Sequence, residues 1–366
     1  MSRSLTLAMG TLVCALAAAP SLGSQAPAPA ADWNARAAAA YLDARMQWWL
    51  QWPNATRDHD TKCVSCHTVA PYVLARPALR ASLGERESTD NERLTASHVT
   101  KRVRLWKDVE PMYSDQRNGL PKTSESRGTE AIMNALVLAA RDRESGTLSA
   151  EARLAFEHLW KLQFTAGALK GGWAWLNFHY EPWEADDGAY YGATLAALAV
   201  AVAPAYSSTP EIQPQLTLLQ NYLRQGLGKT SLFNRANLLW VSSLWPGVLT
   251  DADRTAIANA LIAQQQTDGG WSLSTLGGYK RVDGTPLDTR TDGYATGLVT
   301  LGLQGVTSAS VEPAVARGRA WLRQHQDAAS GTWHATSLNK QRDPASDVGR
   351  FMNDAATAYA VLALLR

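Results

Sequence analysis

The chain has 366 residues, 46% of them hydrophobic, and 35 Lys and Arg against 33 Asp and Glu give a formal net charge of +2. That balance, with no basic run anywhere, argues against nucleic acid or an anionic membrane surface as a partner. The apolar content suffices for a large core, and three cysteines in such a length do not make a disulfide scaffold.

The first element is Met1-Ser-Arg-Ser, an apolar run from Leu5 to Ala19, and then "PSLGSQAPAPAAD". A short basic start, a brief apolar core and small residues at a cleavage site read as a secretory signal peptide over 1–24, followed by a flexible lead over 25–31. The run is too short and Ala-rich for a permanent span, and no other stretch is long enough to cross a bilayer. The expectation is an exported, periplasmic protein with no transmembrane anchor in its mature chain. Cys14 follows Leu12 and Val13 rather than a small residue, which argues against lipidation. Without Cys14, only Cys63 and Cys66 remain.

From residue 32 onward, Ala/Leu-rich periodicity predicts twelve helices. They fall at 32–51, 67–82, 90–108, 128–142, 149–163, 186–203, 211–226, 232–245, 251–266, 292–304, 312–326 and 353–365. Ser149-Ala-Glu-Ala, Thr250-Asp-Ala-Asp and Asp90-Asn-Glu-Arg are N-terminal capping signals. No segment shows clear strand alternation. The helices pair, and the pairs repeat. Each pair has a long connection rich in Gly, Trp and charge. The polar residues His67, Glu130, Asp187, Asn237, Asp292 and Asp354 mark the openings of the second helices. Six pairs of similar length predict an all-α, α/α toroid of about six helical hairpins over 32–366. The first helix of each pair would be outer and the second inner. The long loops 112–127, 171–186, 268–291 and 331–352 would then share one mouth with the first connection.

That first connection contains "TKCVSCHT", Thr61 to Thr68. Cys63-x-x-Cys66-His67 has the spacing that lets two thiols add to the two vinyl groups of haem while the adjacent His reaches the iron. The same residues could instead form a small disulfide or part of a metal site. One covalent haem c is the expected cofactor, with Cys63 and Cys66 as attachment points and His67 as axial ligand. Met112, in Glu110-Pro-Met-Tyr113, is the candidate sixth ligand. Met352, His59, His179 and His334 also fall on mouth loops, whereas His98 and His158 are mid-helix. Arg127, Arg281, Arg290, Arg342 and Arg350 are candidates for haem propionates, because Arg pairs carboxylates bidentately.

Three stretches follow amphipathic helices in similar form. They are Gln266-Thr-Asp-Gly269-Gly-Trp271, Gln326 through Gly331-Thr-Trp333, and, with a longer gap, Gln163 through Gly171-Gly-Trp173. With Arg317 to Gln326 upstream of the second, they resemble the Gln–Trp repeats of squalene–hopene cyclases and related prenyltransferase-like toroids. The resemblance covers roughly 150–366 and implies that each Gln caps neighbouring backbone while each Trp packs between repeats. Trp183-Glu184-Ala-Asp186-Asp187 resembles the Asp-x-Asp-Asp motif that protonates an alkene in that family, with Glu in first position. The resemblance thus implies Glu184, Asp186 and Asp187 as catalytic carboxylates. A carboxylate in a helix's first turn also has an ordinary role in stabilising the helix dipole. Two departures stand against a cyclase. The full cyclases use two toroids where this chain has room for one, and the prenyltransferases need a zinc set that includes Cys.

Trp173, Trp175, Phe178, Tyr180, Trp183, Tyr190 and Tyr191 cluster in and after one mouth loop, as pocket lining or as core between repeats. The expected function is an exported monohaem c-type protein. It would carry out electron transfer with a redox partner protein, or haem-dependent oxidoreductase chemistry on a small apolar substrate. The alternative is a terpenoid cyclase-like enzyme in which the haem is incidental.

Overall fold

The computed structural model describes residues 32–366; the expected signal peptide over 1–24 and lead over 25–31 lie outside the described residues. Thirteen helices follow in order among them. They are α1 (Ala35–Gln51), α2 (Val69–Ser82), α3 (Asp90–Arg104), α4 (Asp115–Asn118), α5 (Lys122–Asp142), α6 (Ala150–Lys161), α7 (Gly188–Val202), α8 (Gln213–Gly226), α9 (Leu232–Leu244), α10 (Asp251–Ile262), α11 (Gly293–Leu303), α12 (Val311–Gln324) and α13 (Phe351–Leu365). The twelve expected helices are present, and α4 is one extra turn. A two-residue antiparallel ribbon, β1 (Thr56–Arg57) and β2 (Thr61–Lys62), pairs Thr56 with Lys62 and Arg57 with Thr61. No helix among the described residues is long and apolar enough to cross a membrane.

Local chemistry starts the outer helices. Thr89 and Glu92 form a reciprocal capping box on α3, Thr250 and Asp253 another on α10, and Ser149 caps α6. The inner helices α7, α11 and α13 are apolar nearly all round. In α7, "GAYYGATLAALAVAV" is buried at almost every position, as is α11. A helix without a polar face must be covered on all sides, and the toroid does this. Helices α2, α5, α7, α9, α11 and α13 each pack on the next, and α13 packs back on α2. The ring is therefore closed. Helices α1, α3, α6, α8, α10 and α12 lie outside it: α1 packs on α2 and α13, α3 on α5, and α6, α8, α10 and α12 chiefly on the inner helix that precedes each of them, α5, α7, α9 and α11. The fold is an α/α toroid of six hairpins.

One brace recurs between hairpins. Gln163 Nε2 donates to the Gly171 carbonyl in its own loop and to the Gln215 carbonyl at the start of the next outer helix. Gln265 does the same to Gly269 and Ala314, and Gln326 to Gly331 and Asn34. The bracing residue of the middle repeat is thus Gln265, not Gln266, whose amide turns instead to the Thr289 carbonyl. Beside each brace a fully buried Trp donates its indole N–H back to its own outer helix. Trp173 bonds Leu159, Trp271 bonds Leu261 and Trp333 bonds Leu322, at 2.7–2.8 Å. The third brace closes the ring, because Asn34 caps α1.

Two of the expected openings are misplaced. Helix α5 begins at Lys122, so Glu130 lies in its interior, where it pairs with Arg102. Asn237 lies in the middle of α9 and donates to the Phe233 carbonyl one turn back.

Gly331 has φ +77°, and a Cβ there would strike the Ala37 backbone of α1. Gly167 has nearly the same φ, +78°, with open space around it. Gly167→Ala is expected to cost about 1–2 kcal/mol from left-handed backbone strain alone. Gly331→Ala should cost a further 1–3 kcal/mol or so from overpacking at the seam. Urea unfolding of both variants checks this; equal losses would show that the seam yields freely.

Candidate functional site

The Cys63–His67 loop is fixed from several sides. Trp49 Nε1 of α1 donates to the Cys63 carbonyl at 2.8 Å, and Cys63 N–H donates to the Ala55 carbonyl at 2.8 Å. Ser65 Oγ accepts from Thr68 N–H and Val69 N–H, so it serves as the cap of α2. Behind the loop, Arg102 is fully buried and reaches Thr61 Oγ1 at 2.9 Å, the Glu110 carbonyl at 2.8 Å and the Glu130 carboxylate. One guanidinium therefore ties the loop before α2 to the loop after α3 and to the body of α5.

Above the motif lies a cleft of about 1260 Å³, counted out to its open mouth. Cys63, Cys66 and His67 line it, and Trp49, Trp52, Trp183, Leu176 and Phe351 form an apolar wall. Met112 and Met352 both face it, as do Tyr113, Glu184, Asn339 and Arg342. Three of the four expected mouth loops contribute. The fourth, 268–291, braces from outside: Arg281 Nε donates to the Ser337 carbonyl and Val282 N–H to the Asn339 carbonyl. His59, His179 and His334 do not line the cleft. His59 pairs with Asp58, His179 pairs with Asp186 at the surface, and His334 is exposed.

The imidazole of His67 is stacked on Phe351 with ring centres 3.7 Å apart, and edge-on to Trp49 at 5.1 Å. Its Nδ1 lies 2.8 Å from Thr68 Oγ1, and Thr68 Oγ1 donates to Asp354 Oδ2 at 2.6 Å. Asp354 also receives Tyr41 Oη at 2.8 Å, Arg45 Nε at 2.8 Å and Arg45 Nη2 at 3.2 Å. Four donors on two oxygens require an ionised carboxylate, which only accepts. Burial pushes this carboxyl up from its ordinary value, and Arg45 opposes that rise. Since the single hydroxyl proton of Thr68 points to Asp354, Oγ1 can only accept from His67. That assigns the proton to Nδ1 and leaves the Nε2 lone pair free. Burial, with Arg45 and Arg342 nearby, lowers the His67 pKa to about 3, so the ring is neutral, the form that binds a metal.

The three carboxylates of the Glu184–Asp187 stretch diverge. Glu184 faces the cleft, and burial raises its pKa to about 7 against the opposing charge of Lys122. Asp186 is exposed; the Asn177 amide and His179 hold its carboxyl below the ordinary range. Asp187 accepts from Ser231 N–H, Thr230 Oγ1 and Asn234 Nδ2, so it fastens the start of α9. The aromatic residues divide as well. Trp173, Trp175, Tyr190 and Tyr191 are core, whereas Tyr180 and Trp183 line the cleft.

The cleft fits a haem in its donor set. Cys63 and Cys66 are free thiols, not a disulfide. Among the described residues no three His, Cys, Asp or Glu side chains gather as a bare-metal site. Arg57 and Asn339 line the cleft too, and each keeps one inaccessible side-chain atom, Arg57 Nε and Asn339 Oδ1, without a hydrogen-bond partner among the described residues. Arg342 also lines it. An apolar wall with the cationic side chains of Arg57 and Arg342 beside it suits a flat apolar ligand carrying carboxylates. Arg57 and Asn339 have no spacing signal in the sequence. Of the five arginines expected as propionate partners, only Arg342 lines the cleft. Arg127 binds the Val109 carbonyl, Arg290 binds Asp288, Arg281 binds backbone, and Arg350 lies 3.9 Å from Asp347.

The raised Glu184 carboxyl has a signed consequence. A folded-state pKa of about 7 against an ordinary 4.5 means that stability from the protonated form is complete at low pH and lost as pH rises through 7. Glu184→Gln keeps the neutral form at all pH. Its melting temperature should therefore gain on that of the unsubstituted protein between about pH 4.5 and 7, and level off above. Thermal unfolding across that range checks it; a constant difference would place a charged Glu184 in the cleft at all pH.

No protein-family model matches the chain, and no curated protein sequence matches it. Among solved structures it is similar to the apo form of the type II terpene cyclase MstE from Scytonema. That likeness has 14% identity and a TM-score of 0.46, over 91% of this chain and 98% of that one. The toroid itself stands on the closed sequence of helix contacts within this chain.

Proposed function

We propose that the chain is an exported, periplasmic monohaem c-type protein whose haem sits at the loop-rich mouth of the toroid. The observation that carries this reading is the convergence of both free thiols and the Nε2 side of a neutral His67 on one cleft. Cys63 and Cys66 would each add S–H across a vinyl group, giving two thioethers, and His67 would bind through Nε2. When bound, the haem supplies one-electron redox chemistry. Around it the chain's own residues have distinct tasks. Trp49, Trp183 and Phe351 exclude water from one side, Arg57 and Arg342 offer charge to carboxylates at the rim, and Met112 or Met352 offers a thioether on the cleft wall. Electron transfer to a redox partner protein, or oxidation or reduction of a small apolar substrate in the remaining cleft, follows from whether that sixth position is filled.

The cyclase-like alternative has one observation in its favour. Glu184 is a carboxyl held near half-protonation beside an apolar wall, which suits a general acid. It lacks the supporting pair, because Asp186 and Asp187 face elsewhere. The axis of the ring is also occupied. Tyr191, Phe233, Tyr294 and Tyr359, from four inner helices, pack in series at 5.2–5.9 Å, and Trp240 reaches Tyr359 at 5.9 Å.

The test is expression with haem-attachment machinery, followed by denaturation and a haem stain. The expected result is one haem that stays with the denatured chain, and loss of that retention in the Cys63→Ala, Cys66→Ala double variant. A soluble, folded chain that retains no haem under those conditions overturns the reading. Carbon monoxide binding by the reduced protein then separates an open sixth position, expected of an enzyme, from a filled one.

A further inference from the structure

We infer that Thr68 and Asp354 are positioning residues for His67 that hold the haem's reduction potential low. The inference rests on the haem reading above and concerns residues that no motif marks. Its basis is the chain of short hydrogen bonds from His67 Nδ1 through Thr68 Oγ1 at 2.8 Å to Asp354 Oδ2 at 2.6 Å. Thr68 and Asp354 are nearly inaccessible, 3% and 1% exposed, while His67 is half-buried and opens on the cleft. A histidine ligand commonly donates its second ring N–H to a partner that fixes its tautomer and raises its basicity. Here the partner is a hydroxyl whose own proton is drawn off by a carboxylate. Each bond polarises the next, so negative charge from Asp354 is passed to the imidazole without direct contact. A more electron-rich imidazole favours ferric over ferrous iron, and second-sphere hydrogen bonding is one of the levers by which a protein tunes a haem.

The other contacts of Asp354 set the strength of this relay. Tyr41 Oη and Arg45 Nε both bond Oδ1, while Thr68 and Arg45 Nη2 share Oδ2. Arg45 is fixed in turn by the Asp347 carboxylate and carbonyl. Tyr41 withdraws charge from the carboxylate and Thr68 delivers it. Removing one or the other should therefore move the potential in opposite directions, which a loss of packing alone does not do.

The experiment is a spectroscopic redox titration of the haem-bearing protein and three variants. Thr68→Val keeps the shape and breaks the relay. It should raise the midpoint potential by at least the equivalent of a tenfold change in the ferric-to-ferrous balance, about 59 mV for one electron. Thr68→Ser restores a hydroxyl and should return most of the shift. Tyr41→Phe should lower the potential. If Thr68→Val does not fold, Tyr41→Phe decides alone: a drop supports the relay, and an unchanged or raised value overturns it. With haem bound, an unmoved potential in Thr68→Val, or a shift of the same sign in Tyr41→Phe, overturns the inference and leaves the haem reading intact. Absence of covalent haem from the unsubstituted protein overturns both.

Discussion

At the seam where the last hairpin meets the first, the carboxylate of Asp354 receives Arg45 and Tyr41 from α1 and Thr68 from the start of α2. The last helix is joined to the first two at one buried pair of oxygens. Breaking a buried ion pair by removing one partner typically costs about 3–5 kcal/mol. Yet replacing such a pair wholly by apolar side chains is often neutral or stabilising. The seam's stability therefore does not explain why a carboxylate stands there. What an apolar seam could not provide is direction: a fixed register of α13 against α1, and a hydroxyl aimed at one nitrogen of His67. The same interaction thus completes the ring and orients the candidate ligand.

The rest of the toroid is consistent with this division between closure and aim. Closure is carried by a repeated device, a glutamine amide bridging a glycine carbonyl and the next outer helix, with a tryptophan behind it. The first hairpin has no Gly-x-Trp of its own. In its place stands the Cys63–His67 loop, held by Trp49, Ser65 and the Arg102 cluster. Repeats two, three and six supply walls of the cleft, and the first supplies the thiols and His67. This arrangement keeps the motif within the toroid, where loops from three other hairpins cover it.

The fold was legible because inner and outer helices differ in composition. An all-apolar run such as α11 and an amphipathic one such as α12 are distinct in sequence, and their alternation reveals the hairpins. Where the reading slipped, a buried polar residue was the cause. Glu130 and Asn237 look like helix openings in sequence because polar side chains are rare inside apolar helices. Their real partners, Arg102 and the Phe233 carbonyl, are seen only in three dimensions. Three consecutive glutamines, Gln264 to Gln266, left the brace at Gln265 ambiguous in position. At the site, Cys63, Cys66 and His67 form a local motif and are plain in the sequence. The relay was not, because Thr68 and Asp354 are 286 positions apart and share no spacing rule. Arg57 and Asn339 escaped for the same reason.

Placing the chemistry at the mouth is also a consequence of how the ring is filled. Six inner helices enclose an axis that must be either occupied or wet. Here large aromatic side chains from α7, α9, α11 and α13 meet across it, and Trp183 Nε1 donates to Tyr294 Oη where that stack approaches the cleft. Cys66 is buried above the same group, so the floor of the cleft and the top of the core are one surface. A ligand held by Cys63, Cys66 and His67 would rest on packed aromatics below and meet loops and solvent above. Electrons or a small substrate would then arrive from the loop side. There the loop residues Tyr113, Tyr180, Asn339 and Arg342 line the cleft and would set which partner is accepted.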